Sequence, residues 1–218
     1  MDLKFKHPFT CIVAGPTSCG KTIFTYNLLD NLNSMCDKNI NKIVYYYDEW
    51  QPIFGESKPY NITYEQGLPC LKDFNGKENS LIIIDDMMKE TNKEIVNIFT
   101  KGSHHRNLSV IFITQNLFYQ GKGMRDISLN TNYIIYFKNP RDKAQIMHLA
   151  RQLYPEDCKF IQEAYMDATS KPHGYLLIDL KQNTEDKFRI RTNILPEEQP
   201  CIIYVPKKGY KYPSTSLE

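Results

Sequence analysis

An eight-residue stretch, GPTSCGKT, lies near the start of the sequence at residues 15–22. It matches the phosphate-binding loop (P-loop) pattern G-x-x-x-x-G-K-S/T at every fixed position. The apolar run at residues 10–14 predicts a buried strand before the loop, and a helical pattern over 21–32 follows it. A glycine-containing loop that arises by chance would not need a strand before it and a helix after it. The stretch therefore predicts an α/β fold in which a strand delivers the loop to the first turn of a helix.

The residues of this loop have the chemistry needed to hold the phosphates of ATP together with Mg²⁺. Backbone N–H groups of such a loop surround the phosphates, and the positive end of the following helix strengthens their attraction. We expect Lys21 to reach the β- and γ-phosphates and the Thr22 hydroxyl to bind Mg²⁺. The predicted nucleotide-binding residues are Gly15, Pro16, Thr17, Ser18, Cys19, Gly20, Lys21 and Thr22.

A second stretch, LIIIDD at residues 81–86, adds two carboxylates. Four apolar residues followed by an acid predict a buried strand that delivers Asp85 to the magnesium ion, directly or through water. Asp86 is then placed to polarise the attacking water. Glutamate is more usual at that position, so the shorter Asp86 side chain is a departure. A strand that ends in a solvated turn is the alternative interpretation.

A third stretch, KGSHHRNLSVIFITQN at residues 101–116, has polar residues at both ends of an apolar run. The run at 110–113 predicts a strand that is buried on both faces. Gln115 would follow the carboxyl end of this strand, where ligands bind in open α/β sheets. If this strand lies between the other two, Gln115 lies between the phosphate-binding loop and Asp85. There it could orient water or sense the γ-phosphate.

Arg106 precedes the same strand and lies at its opposite end. A strand of about six residues spans roughly 20 Å at ~3.3 Å per residue, so Arg106 does not easily reach the nucleotide of its own subunit. It is either a surface arginine or an arginine finger that reaches the nucleotide of a neighbouring subunit. The spacing alone leaves both interpretations open.

The remaining strand and helix signals alternate, which is typical of a mostly parallel sheet flanked by helices. Further strands are predicted at 42–47 and 133–137, helices at 92–101, 140–153 and 155–168, and an antiparallel hairpin at 174–180 and 188–194. The sheet core is expected to have five strands, and residues 50–80 are expected to be irregular. We predict one P-loop ATPase domain over 1–195 and a weakly structured tail over 196–218.

Cysteine content, hydropathy and charge limit the other classes of protein and site. The six cysteines form no C-x-x-C pair and no close group with histidines, so free thiols are expected rather than a zinc site. No apolar stretch approaches the ~20 residues that cross a bilayer, and no signal-peptide pattern is present. An intracellular protein without a membrane partner is therefore expected.

Residues 101–151 carry eight basic and two acidic side chains, a balance that fits a surface facing nucleic acid. A solvated helix face gives the same count.

Four stretches together, AGPTSCGKT, YYYDEWQPIF, LIIIDDMM and HHRNLSVIFITQNLF, resemble genome-packaging ATPases of the FtsK–HerA superfamily. The resemblance covers residues 9–154 and is nearest to packaging ATPases of large eukaryotic DNA viruses and of virus-like Maverick/Polinton elements. It implies a RecA-like (ASCE) fold and an ATP-driven motor that moves double-stranded viral DNA into a preformed capsid. It also implies a homo-oligomeric ring and capsid portal or vertex proteins as partners. The expected location is the virion or the site of virion assembly in the host cytoplasm or nucleus.

The resemblance also implies roles for individual residues. In this superfamily an arginine just before the fourth strand acts on the adjacent subunit's nucleotide, which corresponds to Arg106, and the polar residue that ends the strand corresponds to Gln115. The two ends of one strand would then serve two active sites in a ring. Lys122 and Arg125, in the glycine-flanked stretch YQGKGMR, are the first candidates for DNA contacts.

Two other functions would use the same loop. A phosphotransferase of the nucleotide kinase type shares the phosphate-binding loop but needs neither the two carboxylates nor Gln115 and Arg106. A capsid or scaffold protein that binds ATP without cleaving it would not need Lys21 and both carboxylates intact. A GTPase is disfavoured because the sequence has no N-K-x-D motif for guanine.

Overall fold

A single sheet of nine strands organises the part of the chain that the structure describes. The structure is a computed structural model, which describes residues 3–56, 58, 60–87, 93–117 and 123–207. The strands are β1 (Thr10–Ala14), β2 (Lys42–Tyr47), β3 (Ile62–Gln66), β4 (Ser80–Asp85), β5 (Leu108–Thr114), β6 (Tyr133–Phe137), β7 (Tyr175–Asp179), β8 (Ile190–Thr192) and β9 (Ile202–Tyr204). Their order across the sheet is β3-β2-β4-β5-β1-β6-β7-β8-β9.

The strand directions confirm the predicted α/β architecture. Strands β1 to β6 pair in parallel, whereas β7, β8 and β9 add an antiparallel extension at one side. Strand β5 lies between β1 and β4, because Ile111 is in register with Cys11 on one side and with Ile83 on the other. The predicted position of the Gln115 strand, between the strands of the loop and of Asp85, is therefore confirmed.

The helices cover both faces of the sheet. They are α1 (Lys21–Asp30), α2 (Leu32–Met35), α3 (Lys93–Asn97), α4 (Ser103–His105), α5 (Met124–Leu129), α6 (Ala144–Leu153) and α7 (Cys158–Ala168), with a π-helical turn at Ile98–Gly102. The helix predicted over 92–101 thus continues beyond its expected end, through the π-helical turn and α4. No helix within the described ranges has the length and apolar character needed to span a membrane.

Alternating side chains of the central strands divide the core into two layers. In β1, Cys11 and Val13 join a buried cluster that includes Phe24 of α1, whereas Ile12 joins a second cluster that includes Ile161 of α7. All residues of β1, β4 and β5 are buried. Parallel strands that are covered on both faces have continuous apolar sequences. This is why the positions of these strands could be predicted from the sequence.

The structure corrects the prediction in three places. Residues 50–80, expected to be irregular, contain β3, which pairs with β2 and makes six parallel strands where five core strands were expected. Strand β9 pairs with β8 inside the segment expected to be weakly structured. Helix α5 was not predicted at all. Both unexpected strands lie at or near the ends of the sheet and are only partly covered, so their sequences lack a continuous apolar run.

Candidate active site at the carboxyl edge of the sheet

The ends of three adjacent strands meet at one edge of the sheet. Gly15 follows β1, Asp85 ends β4, and Gln115 follows β5. Backbone hydrogen bonds join these ends: the Gly15 N–H donates to the Thr114 carbonyl over 3.2 Å, and the Asp86 N–H donates to the Ile113 carbonyl over 3.1 Å. The parallel directions of the strands therefore bring together the loop, the carboxylate pair and the glutamine that the sequence predicted.

The loop needs its two fixed glycines for different reasons. A Cβ atom at Gly15 would lie 2.7 Å from the Phe137 Cβ and from the Cys19 Sγ, so a larger residue does not fit there. Gly20 caps α1 with a φ of 105°, a backbone conformation that glycine adopts without steric cost. Ser18 has a φ of 63°, which is uncommon for a residue with a side chain. The strained backbone marks this turn as a candidate ligand site.

The Lys21 ammonium lies inside the loop. Its Nζ donates to the carbonyl oxygens of Gly15 over 2.7 Å and of Pro16 over 2.9 Å. Helix α1 has no acidic residue in its first turn, so no carboxylate of the helix itself offsets the positive end of its dipole. Lys21, the loop N–H groups and the helix start together form a site suited to an anion.

Asp85 is held at the end of β4 by a tyrosine that the sequence analysis did not identify. The carboxylate is only 6% exposed, and the buried Tyr45 hydroxyl donates to its Oδ2 over 2.6 Å. Burial raises the pKa of Asp85, the bond from Tyr45 opposes this rise, and the nearby charge of Asp86 adds to it. Lys21 lies near enough to lower the same pKa. A buried carboxylate oxygen beside the loop is the type of ligand that Mg²⁺ prefers, and the half-buried Thr22 adds a hydroxyl.

Asp86 and Gln115 form a second, exposed pair next to the first. Gln115 Nε2 donates to Asp86 Oδ2 over 2.6 Å. Asp86 has a φ of 52°, so the chain turns sharply after Asp85 and separates the directions of the two carboxylates. One carboxylate is buried against a tyrosine and the other faces solvent beside an amide. Two adjacent acids in such different surroundings suit two different tasks, metal binding and contact with water.

Arg106 lies at the opposite edge of the sheet, as the sequence predicted. Its guanidinium is half-buried, and Nη1 donates to the carbonyl oxygens of Leu71 over 3.0 Å and of Phe74 over 2.5 Å. Within one subunit Arg106 therefore holds the segment after β3, at the end of the sheet remote from its own phosphate-binding loop. The arginine-finger role remains a prediction.

One of the two candidates for DNA contact lies in α5. Arg125 is exposed in the first turn of this helix, whereas Lys122 lies outside the described residues. Within the described ranges no group of three His, Cys, Asp or Glu side chains could hold a metal ion. A magnesium ion at Thr22 and Asp85 would accordingly need phosphate oxygens to complete its coordination, which is usual for Mg²⁺.

Two residues of the site were not predicted from the sequence. Tyr45 lies in an apolar strand and would be assigned to the core from its pattern alone, because its partner Asp85 is 40 positions away. His173 lies between α7 and β7, and its Nδ1 is 3.0 Å from the Cys19 carbonyl oxygen. Only the fold brings His173 to the loop, because the two residues are 154 positions apart.

Comparison with solved structures places the fold. The structure resembles that of the genome packaging NTPase B204 from Sulfolobus turreted icosahedral virus 2 in complex with AMP, with a TM-score of 0.55, 13% identity, and coverage of 92% of this chain and 98% of that chain. For the ATP-gammaS complex of B204 the TM-score is 0.53 at 14% identity, with coverage of 91% and 97%. The fold is that of a P-loop NTPase. No protein-family model and no curated protein matches this sequence.

Proposed function

We propose that this chain is an ATP hydrolase that drives the packaging of double-stranded viral DNA into a capsid. The observation that carries the proposal is the set of side chains at one edge of the sheet: Lys21 in the phosphate-binding loop, Asp85 held by Tyr45, and Asp86 bonded to Gln115. Each member of this set corresponds to a part that ATP hydrolysis requires.

The residues divide the work of hydrolysis between them. The loop N–H groups and Lys21 bind the β- and γ-phosphates and stabilise the negative charge that grows in the transition state. Thr22 and Asp85 would hold Mg²⁺, which neutralises charge on the phosphate oxygens when bound. Asp86 polarises the attacking water by accepting its hydrogen bond and then its proton, and so directs it towards the γ-phosphate. Gln115 holds the Asp86 carboxylate in position through the 2.6 Å bond to Oδ2.

The strand order supports hydrolysis over phosphate transfer to another molecule. In this sheet β5 separates β1 from β4, so Gln115 is inserted between the phosphate-binding loop and the carboxylate pair. A phosphotransferase of the nucleotide kinase type has no need for a water-orienting pair at this point. A protein that only binds ATP has no need for it either, since binding uses the loop and the metal ligands.

The packaging role rests on two resemblances. The four sequence stretches resemble packaging ATPases, and the structural neighbour B204 is itself described as a genome packaging NTPase. We propose on this basis that the chain acts as a homo-oligomeric ring on double-stranded DNA, docked to portal or vertex proteins of the capsid. Arg106 would complete the site of the neighbouring subunit, and Arg125 and Lys122 would contact DNA.

The proposal is tested by an ATPase assay with and without duplex DNA. We expect the purified protein to release phosphate from ATP with Mg²⁺, and duplex DNA to raise the rate. Lys21→Ala serves as the inactive control, and Lys187→Ala, at an exposed lysine that pairs with Glu185 between β7 and β8, serves as the matched active control. Phosphate transfer to a nucleoside monophosphate would favour the kinase alternative. ATP binding without release of phosphate would favour a scaffold protein.

A further inference from the structure

His173 makes a contact with the phosphate-binding loop that no function proposed above uses. Its Nδ1 lies 3.0 Å from the Cys19 carbonyl oxygen. Its ring covers Gly20, since a Cβ atom at Gly20 would lie 3.3 Å from the same Nδ1. A carbonyl oxygen only accepts hydrogen bonds, so His173 Nδ1 must carry the proton and donate.

The backbone around His173 holds the ring in this place. His173 has a φ of 60°, in the left-handed region that few residues other than glycine adopt. The next residue, Gly174, has no room for a side chain, because a Cβ atom there would lie 2.4 Å from the Ala168 carbonyl oxygen. Strand β7 begins directly afterwards and pairs Tyr175 with Phe137 of β6. The turn is thus held by α7 on one side and by β6 on the other. Backbone strain of this kind is typical of functional sites.

The bond to His173 determines the direction of one peptide group in the loop. In a planar trans peptide the C=O of one residue and the N–H of the next point in opposite directions. The Cys19 carbonyl points towards His173, so the Gly20 N–H points away from it. The peptide between these residues is flanked by the flexible backbone of Gly20, and without a partner for the carbonyl it could turn over at low cost.

We propose that His173 is a positioning residue that orients the Cys19–Gly20 peptide so that the Gly20 N–H is available to phosphate. The turn between α7 and β7 is then part of the nucleotide site. This inference rests on the proposed function, since it assumes that the loop of residues 15–22 binds phosphate.

The test uses two substitutions with opposite effects on the hydrogen bond. His173→Gly removes the donor and relieves the left-handed backbone, so the variant should fold at least as well as the parent protein. His173→Asn keeps a donor, because the Asn Nδ2 lies the same number of bonds from the backbone as the His Nδ1, and Asn tolerates the left-handed region. His148→Ala, on the exposed side of α6, is the matched histidine control.

Binding of three ligands distinguishes an effect of His173 on phosphate binding from a contact of His173 with the base. Binding is measured for AMPPCP, for its guanosine counterpart and for pyrophosphate, which has neither base nor ribose. We expect His173→Gly to weaken all three by the same factor, about fivefold to tenfold, as the loss of one hydrogen bond predicts. His173→Asn should recover most of this loss, and His148→Ala should match the parent protein.

Other outcomes overturn the inference. Affinities that stay within twofold in His173→Gly would show that the contact does not prepare the loop. A change in the ratio of adenosine to guanosine analogue, with pyrophosphate binding intact, would assign His173 to the base instead. Lys21→Ala in the same assay separates the two proposals. If it leaves pyrophosphate binding intact, the loop does not bind phosphate and both fail; if it removes binding while the His173 variants stay neutral, only this inference fails.

Discussion

Gln115 Nε2 donates a 2.6 Å hydrogen bond to Asp86 Oδ2 and so links the ends of two neighbouring parallel strands. The bond exists because β5 lies beside β4, with Ile113 in register with Asp85. It leaves the exposed Asp86 carboxylate oriented and still accessible to water.

Lys21→Ala should remove nearly all ATP hydrolysis. The substitution deletes the cation inside the loop, and loss of one group that stabilises transition-state charge typically costs ~10²-fold or more in rate. Steady-state phosphate release with Mg²⁺ and saturating ATP measures the effect. Retention of more than about a tenth of the activity would contradict the chemistry assigned to the loop.

Asp86→Asn should block hydrolysis and leave ATP binding largely intact. The amide cannot accept a proton from the attacking water, whereas the loop and Asp85, which bind phosphate and Mg²⁺, are unchanged. Turnover and the ATP dissociation constant are measured on the same preparation. A variant that loses ATP binding as well would make Asp86 a magnesium ligand, and the division of labour between the two carboxylates would be wrong.

Tyr45→Phe should lower the activity about 10-fold or more by acting through Asp85, as is typical when a side chain that orients a metal ligand is removed. The ring stays in the core, so only the 2.6 Å bond to Asp85 is lost. The Mg²⁺ concentration for half-maximal activity should rise in parallel. Tyr64→Phe removes a hydroxyl from the same aromatic cluster, where it bonds Tyr26, and provides the control. Equal effects of the two substitutions would argue against a role through Asp85.

Arg106→Ala should abolish hydrolysis and spare ATP binding if the arginine acts on a neighbouring subunit. An arginine finger contributes about 10³- to 10⁵-fold in rate. The decisive measurement mixes two inactive proteins, Lys21→Ala and Arg106→Ala. In a shared ring some interfaces combine an intact loop from one subunit with an intact arginine from the other, so part of the activity should return.

The hydrogen bonds of Arg106 to Leu71 and Phe74 define the competing outcome of that experiment. If the arginine only holds this segment, Arg106→Ala should lower the melting temperature, and mixing should restore nothing even though both proteins enter the same rings. Thermal melting of each variant before mixing separates the two roles.

Arg191→Met should destabilise the fold by about 3–5 kcal/mol at neutral pH, because it leaves a buried charge without its partner. Arg191 Nη2 lies 3.0 Å from Asp179 Oδ2, and both side chains are almost fully buried. Burial raises the pKa of Asp179, so the folded variant binds a proton more tightly than the unfolded chain does. The loss of stability should therefore be largest above that raised pKa and shrink as the pH falls through it. Urea unfolding at several pH values measures this, and adding Asp179→Asn should abolish the pH dependence.

Much of the site could be predicted because its residues carry local signals. The phosphate-binding loop is a contiguous motif, and the apolar runs before Asp85 and Gln115 identify strands that are buried on both faces. Once these strands are assumed to be parallel and adjacent, their carboxyl ends must meet. The order of β1, β5 and β4 was an added hypothesis, and the structure confirms it. Edge strands such as β3 were not predicted, because a partly exposed strand has no continuous apolar run.

The loop, the class of fold and the two acids at the end of β4 could be predicted from the sequence, since each depends on neighbouring residues along the chain. The distant side chains that support them are known only from the folded chain. Tyr45 reaches Asp85 across 40 positions, and His173 reaches Cys19 across 154. Neither contact produces a periodic or local sequence pattern. The contact of Tyr45 depends on strand register, and the contact of His173 depends on a left-handed turn packed against α7. These are properties of packing, and they arise only when the whole sheet has formed.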